Sequence, residues 1–243
     1  MKHNHAPIYI THRFPTEEDT AAECPRQDSL LLPEHGNFPC PLIVLIEDEV
    51  DRSREATLLN SQGYAVFRCQ AHRSMERSKE DCLRWQQSLE QKLDALLGEH
   101  PQLDGNRLYL DGWLAAFVIF HSHRFRAAVQ RPALLDRASA YGCCSRGWEA
   151  PFGDSLREML RVLTEQSVIV DADSCKTPLL VLHPLADRRY PPEQSEILYS
   201  MMKDRNPEVP CRLAVFPETA SPERISQEVT EWWKRFDQEV PHG

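Results

Sequence analysis

Residues 106–129 read NRLYLDGWLAAFVIFHSHRFRAAV, and the order of types within them decides the architecture. Arg107–Leu110 (RLYL) reads as a short strand, a tight turn follows, and Leu114–Phe120 is an apolar helix. Ala127–Gln130 (AAVQ) is again strand-like. A strand, a helix and a second strand in this order form a crossover unit with parallel strands.

The same alternation continues on both sides. Leu42–Ile46 (LIVLI) is a continuous apolar run after the turn-rich Pro33–Pro39, as in a buried parallel strand. A helix over 53–62 stops at Gly63, and Tyr64–Cys69 (YAVFRC) is the next strand. Ser78 is the expected N-cap of a long helix reaching Gly98, with Leu83, Gln86, Leu89, Leu93 and Leu96 on one face. Beyond Gln130, residues 131–176 form a loop-and-helix excursion punctuated by Pro132, Gly142, Gly147, Pro151 and Gly153. Leu179–His183 and Arg212–Phe216 are further strands, and Pro192–Asp204 is a helix. The last helix is Pro222–Phe236, with Ile225, Val229, Trp232, Trp233 and Phe236 on one face. The expected fold is α/β, a doubly wound, mostly parallel sheet with helices on both faces. Residues 1–39 read as an irregular arm with one short strand near Ile8–Thr11, and residues 40–243 as a single domain.

Composition narrows the function classes. Of 243 residues, 41% are hydrophobic and 27% charged, as in a soluble globular protein. A net charge of -9 argues against a nucleic-acid partner. No apolar run approaches the ~18 residues of a membrane span, and residues 1–20 lack the apolar stretch of a signal peptide, so the cytoplasm is the expected compartment. The eight cysteines show no C-x-x-C spacing, so neither a zinc site nor a disulfide scaffold is expected. His121 and His123 point roughly 200° apart on a helix and make a poor metal pair. No cofactor or metal is expected.

Three stretches resemble the catalytic domain of the prolyl oligopeptidase family, with its acylaminoacyl and dipeptidyl peptidase relatives. They are Asn106–Val129, Thr177–Met201 (TPLLVLHPLADRRYPPEQSEILYSM) and Arg212–Phe236, supported more weakly by Pro41–Arg68 with its phrase SQGYAVFR. The resemblance spans about residues 40–238 and implies an α/β-hydrolase fold. It also implies acyl transfer by a serine, an aspartate and a histidine in that chain order.

Carried onto this chain, the resemblance finds the chemistry missing. The serine elbow falls on Asp111-Gly112-Trp113-Leu114-Ala115, with Trp113 at the nucleophile, and an indole has no nucleophilic atom. Asp187 stands at the acid and is open to two readings, a retained role or an ordinary loop residue. Ser221, or Ala220 with a one-residue shift, stands at the histidine, and Ser221 followed by Pro222 also reads as a helix N-cap. The oxyanion turn becomes Glu47, Asp48 and Glu49, whose charges would repel an oxyanion.

The expectation is therefore a pseudo-hydrolase, not an enzyme, that binds or regulates. Its partner is an unknown protein or a second copy, with a small molecule in a pocket at Trp113, Leu114 and Asp187 as the other possibility. Two alternatives remain: a hydrolase with relocated catalytic groups at Cys143 or Cys144, and a small-molecule sensor using the former acyl pocket.

Overall fold

The structure, a computed structural model, describes residues 9–11, 28–35, 37–48, 51–73, 75, 78–143, 155–187, 189–217 and 220–237, with backbone alone at 9–11, 142–143 and 222. Its strands are β1 (Tyr9–Thr11), β2 (Ser29–Leu31), β3 (Cys40–Glu47) and β4 (Ala65–Gln70). They continue with β5 (Leu103–Gly112), β6 (Ala127–Gln130), β7 (Leu179–Pro184) and β8 (Cys211–Phe216). All eight join one sheet in the order β1-β2-β4-β3-β5-β6-β7-β8. From β4 to β8 every pairing is parallel, and β1 and β2 add an antiparallel edge. The short strand expected near Ile8–Thr11 is β1; β2 was not foreseen, because three residues of SLL are too short for periodicity to register.

Helices α1 (Ser53–Ser61), α2 (Lys79–Glu99) and α3 (Ala115–His121) follow β3, β4 and β5. The excursion after β6 holds α4 (Arg137–Cys143), α5 (Leu156–Glu165) and a 3-10 turn at Val168–Ser174. Helices α6 (Glu193–Arg205) and α7 (Pro222–Asp237) flank β8 in sequence.

Parallel strands need helical cover on both faces, and the core divides accordingly. Alternate residues of β3 supply the two sides: Leu42, Val44 and Ile46 face α2 and α3, whereas Ile43 and Leu45 face α1 and α7. On α2 the buried face is Cys82, Gln86, Leu89, Leu93 and Leu96, so Cys82 takes the place expected of Leu83, which is half-buried. On α7, Val229, Trp232, Trp233 and Phe236 are buried. Trp233 packs 5.3 Å from the Tyr109 ring, and Trp232 Nε1 donates to the Ala128 carbonyl of β6 at 3.1 Å. Burying one such aromatic contributes roughly 2–3 kcal/mol. Two layers thus fix the C-terminal ends of β3, β5 and β6 together, and the candidate site lies there.

Candidate functional site at the strand ends

Strand β5 ends at Gly112 and α3 begins at Ala115, so Trp113 and Leu114 form the turn between them. The glycine is required by close approach: a Cβ on Gly112 would stand 2.5 Å from Ile46 Cβ and 2.8 Å from the Ile46 carbonyl oxygen on β3. The small-residue logic of a nucleophile elbow thus persists, although none of the residues from Gly112 to Ala116 carries a hydroxyl, thiol or carboxylate.

Trp113 is 3% exposed. The Arg73 guanidinium lies 4.7 Å from its ring and 5.1 Å from the ring of Tyr190, so one cation bridges two aromatic faces. Arg73 Nε donates to Asp48 at 2.6 Å and Nη1 to the Pro132 carbonyl at 3.2 Å. Beneath the turn, Gln130 at the end of β6 accepts from Ala116 N at 2.6 Å and donates to the Trp113 carbonyl at 2.7 Å. A buried protein side chain therefore already takes an amide in the first turn of α3, the end of a helix that would otherwise present N–H groups to an anion.

The stretch Glu47–Asp48, expected at the oxyanion turn, is not the bare negative patch that its sequence suggested. Glu47 is wholly buried, receives two hydrogen bonds from Arg68 at 2.7 and 2.9 Å, and accepts from Gln70 Nε2 at 3.0 Å. Asp48 is held by Arg73. Glu49 lies outside the described residues. Carboxylates can be counted along the sequence, but the arginines opposite them lie more than twenty residues away.

A second ion cluster was missed entirely. Asp111, at the first position of the elbow pattern, is wholly buried. Arg131 grips it with Nε at 2.8 Å and Nη2 at 2.9 Å, and Arg52 Nη2 approaches to 2.9 Å. Glu55 closes the ring, 2.6 Å from Arg131 and 2.9 Å from Arg52. Burial would raise the Glu55 pKa, but the two guanidinium groups outweigh it and hold the carboxyl down at about 2. The same carboxylates keep both arginines charged against the cost of burial. A charged residue at the end of an otherwise apolar strand was the available signal, because such a residue requires a buried partner.

The other positions behave as structural groups. Asp187 accepts from the amides of Arg189 and Tyr190, both at 2.8 Å, and so closes its own loop. Ser221 is exposed and accepts from Arg224 N at 3.3 Å, an N-cap contact with Pro222 as the first helical residue. His183 is buried between Ser195 Oγ at 2.7 Å and the Tyr190 carbonyl at 3.0 Å, and burial lowers its pKa. Both members of this Ser–His pair are buried, with no access for a substrate. Of the pocket candidates, Trp113 and Leu114 line a cavity of about 20 Å³ together with Cys82, Phe117, Leu135 and Val168, and Asp187 is not part of its wall. The Trp113 Nε1 proton has no hydrogen-bond acceptor there.

The side chain of Cys143 and the whole of Cys144 fall outside the described residues. Burial pushes the Cys175 thiol up to about 11 and Cys211 to about 12, the opposite of activation. Among the described residues no group of three or more His, Cys, Asp or Glu could hold a metal, and no helix is long and apolar enough to cross a membrane.

A sheet of this order, with crossover helices on both faces and a turn from β5 into α3 at its centre, is an α/β-hydrolase fold. Solved structures agree. Acylaminoacyl peptidase of Pyrococcus horikoshii superposes with a TM-score of 0.71 at 20% identity, over 98% of this chain and 42% of that one. Est1E from Butyrivibrio proteoclasticus gives 0.62 at 15% identity, over 87% of this chain and 95% of that one. In sequence, an alignment 138 positions long that covers 54% of this chain shows 27% identity to the uncharacterized peptidase YuxL of Bacillus subtilis (strain 168). The chain spans only 21% of that relative's length. No family model matches. The relationship to α/β-hydrolases of the prolyl oligopeptidase type is supported by these likenesses.

Proposed function

We propose that this chain is a non-hydrolytic relative of the prolyl oligopeptidase-type hydrolases that acts by binding or regulation. The observation that carries the reading is Trp113 at the elbow, buried beneath Arg73 with its turn clamped by Gln130. A nucleophile is lacking at that position, and an exposed Ser221 in a capping role stands where a base would be needed. Acyl transfer needs both, with the oxyanion donors free as well. Among the described residues, the ion-paired turn and the capped helix end support the same reading.

A small-molecule sensor is favoured less. The cavity at Trp113 is about 20 Å³, enough for one water, whereas ligand pockets run to roughly 300 Å³ or more. A hydrolase with relocated groups would have to draw on Cys143 or Cys144. The proposed partner is a protein, and a cytoplasmic setting belongs to the same proposal, in keeping with free thiols at Cys40, Cys69, Cys82, Cys175 and Cys211.

The deciding experiment exposes the purified chain to a fluorophosphonate and an iodoacetamide probe beside p-nitrophenyl ester turnover. The expected outcome is no ester turnover, no fluorophosphonate adduct and no stoichiometric thiol labelling. Turnover abolished by Cys143→Ala or Cys144→Ala would overturn the proposal in favour of a relocated nucleophile.

A further inference from the structure

Helices α1 and α7 cover the same face of the sheet, the one opposite Trp113. α1 is seated over β4 and α7 over β6, and β3 and β5 lie between. Three strand spacings come to about 14 Å, whereas helices in contact stand roughly 8–10 Å apart, so helices seated there do not close on each other. A cleft of about 960 Å³ is left between them, within the size range of ligand sites.

Four carboxylates and four cations line the cleft. The carboxylates are all engaged. Glu55 accepts from Arg52 and Arg131, Asp51 from Arg68 and Ser53, Glu231 from Gln227, and Glu223 from the Ser221 hydroxyl. The cations keep open donors. Arg131 gives Nε and Nη2 to Asp111 and Nη2 also to Glu55, and among the described residues its Nη1 has no partner. Arg54 and Lys234, exposed on opposite walls, likewise have no partner among the described residues.

The unused hydrogen-bonding capacity of the cleft is therefore donor capacity, which an anion takes up. Asp111 and Glu55 already hold the Arg131 side chain, so little further ordering is needed to present Nη1 to a ligand. The balanced charges leave no net field for a multiply charged ion, and the carboxylates beside Arg131 oppose a dianion. Apolar surface adjoins these donors. Leu58 on the α1 wall is 42% exposed, and Ile225 on the α7 wall is half-buried.

We infer that this cleft binds an organic monocarboxylate with an apolar body, the carboxylate on Arg131 Nη1 and the body against Leu58. The guanidinium–carboxylate contact is charge-assisted, and the apolar body takes a leucine out of water. The site lies across the sheet from Trp113 and does not rest on the loss of acyl chemistry.

Phenylacetate is the probe, with phenylacetamide as its uncharged counterpart, titrated into the full chain by calorimetry and by amide NMR. Phenylacetate should bind saturably at millimolar concentration, the amide roughly tenfold more weakly or less, and shifts should centre on Leu58 and Thr230. Leu58→Asp, at an exposed position, sets a like charge on the wall and should weaken binding roughly tenfold or more. Arg131→Lys keeps a cation for Asp111 without the free nitrogen and should abolish binding while circular dichroism stays unchanged. Arg161→Ala, on the exposed face of α5, should bind as the wild type does. Absence of saturation, equal binding of the amide, shifts centred on Trp113, undiminished binding by L58D, or loss of binding in R161A would each overturn the site.

Discussion

The elbow at Gly112–Trp113 and the turn at Ser221, which the family resemblance assigns to a nucleophile and a base, are built in opposite ways. The elbow is buried, sterically tight against Ile46 and surrounded by ion pairs that leave no slack. At the turn, Ser221 is exposed, and its side chain makes a capping contact to Arg224 N. If acyl chemistry has been lost, as proposed, a buried position must be refilled, because an empty or uncompensated interior is costly. A surface turn can drift to whatever caps the next helix. The two regions therefore differ in what substitution costs, and that difference is measurable.

The largest effect is expected at Asp111. Asp111→Ala leaves Arg52 and Arg131 buried with only Glu55 to balance them, at a cost of about 3–5 kcal/mol. Urea unfolding followed by circular dichroism would read this as a lowered midpoint with an unchanged slope. A loss below about 1 kcal/mol would mean that the cluster is solvated, and the contrast with the Ser221 turn would collapse.

Acid should strike the same region next. The Glu55 carboxyl titrates near 2 in the fold against about 4.5 unfolded, so it stabilises the protein above the unfolded value. That contribution, on the order of 3 kcal/mol, is lost as pH falls from about 4.5 toward 2. His183 acts higher on the scale. Its pKa is lowered in the fold, so the unfolded chain takes up the proton first and stability declines as pH drops below about 6.5. Melting curves between pH 7 and pH 5 should therefore slope downward in the native chain and flatten in His183→Gln. A slope unchanged in H183Q would assign the effect to another group.

Gly112→Ala comes third. Its Cβ meets the backbone and Cβ of Ile46, neither of which can swing aside, and the strain should cost roughly 1–3 kcal/mol. A melting temperature equal to that of the wild type would show that β3 and β5 separate easily and that the elbow is looser than its geometry implies.

How much of this was legible in the sequence follows the same divide. Strand–helix alternation, the caps at Ser78 and Ser221, and the place of the elbow are local patterns, and each is recorded within a few residues of the chain. The arginines that neutralise Glu47, Asp48 and Asp111 come from 20 to 59 positions away, as with Arg131 on Asp111 and Arg52 beneath its carbonyl. No short-range periodicity encodes that meeting. Gln130 was visible only as the last residue of a strand, although its side chain joins two ends of the elbow. The cysteines beyond α4 were named for their chemistry alone.

The smallest expected effect lies at Ser221, and it is the sharpest test of the contrast. Ser221→Ala removes one exposed capping contact to Arg224 N and should cost only about 0.5–1 kcal/mol. Pro222, which needs no N–H partner at the first helical position, limits the damage further. Ser221→His restores the residue type of a catalytic base, but the elbow would still hold an indole under Arg73, so ester turnover should stay at background. If S221H gained turnover, a nucleophile would have to exist within reach of that turn, and the proposal of a non-hydrolytic chain would fall.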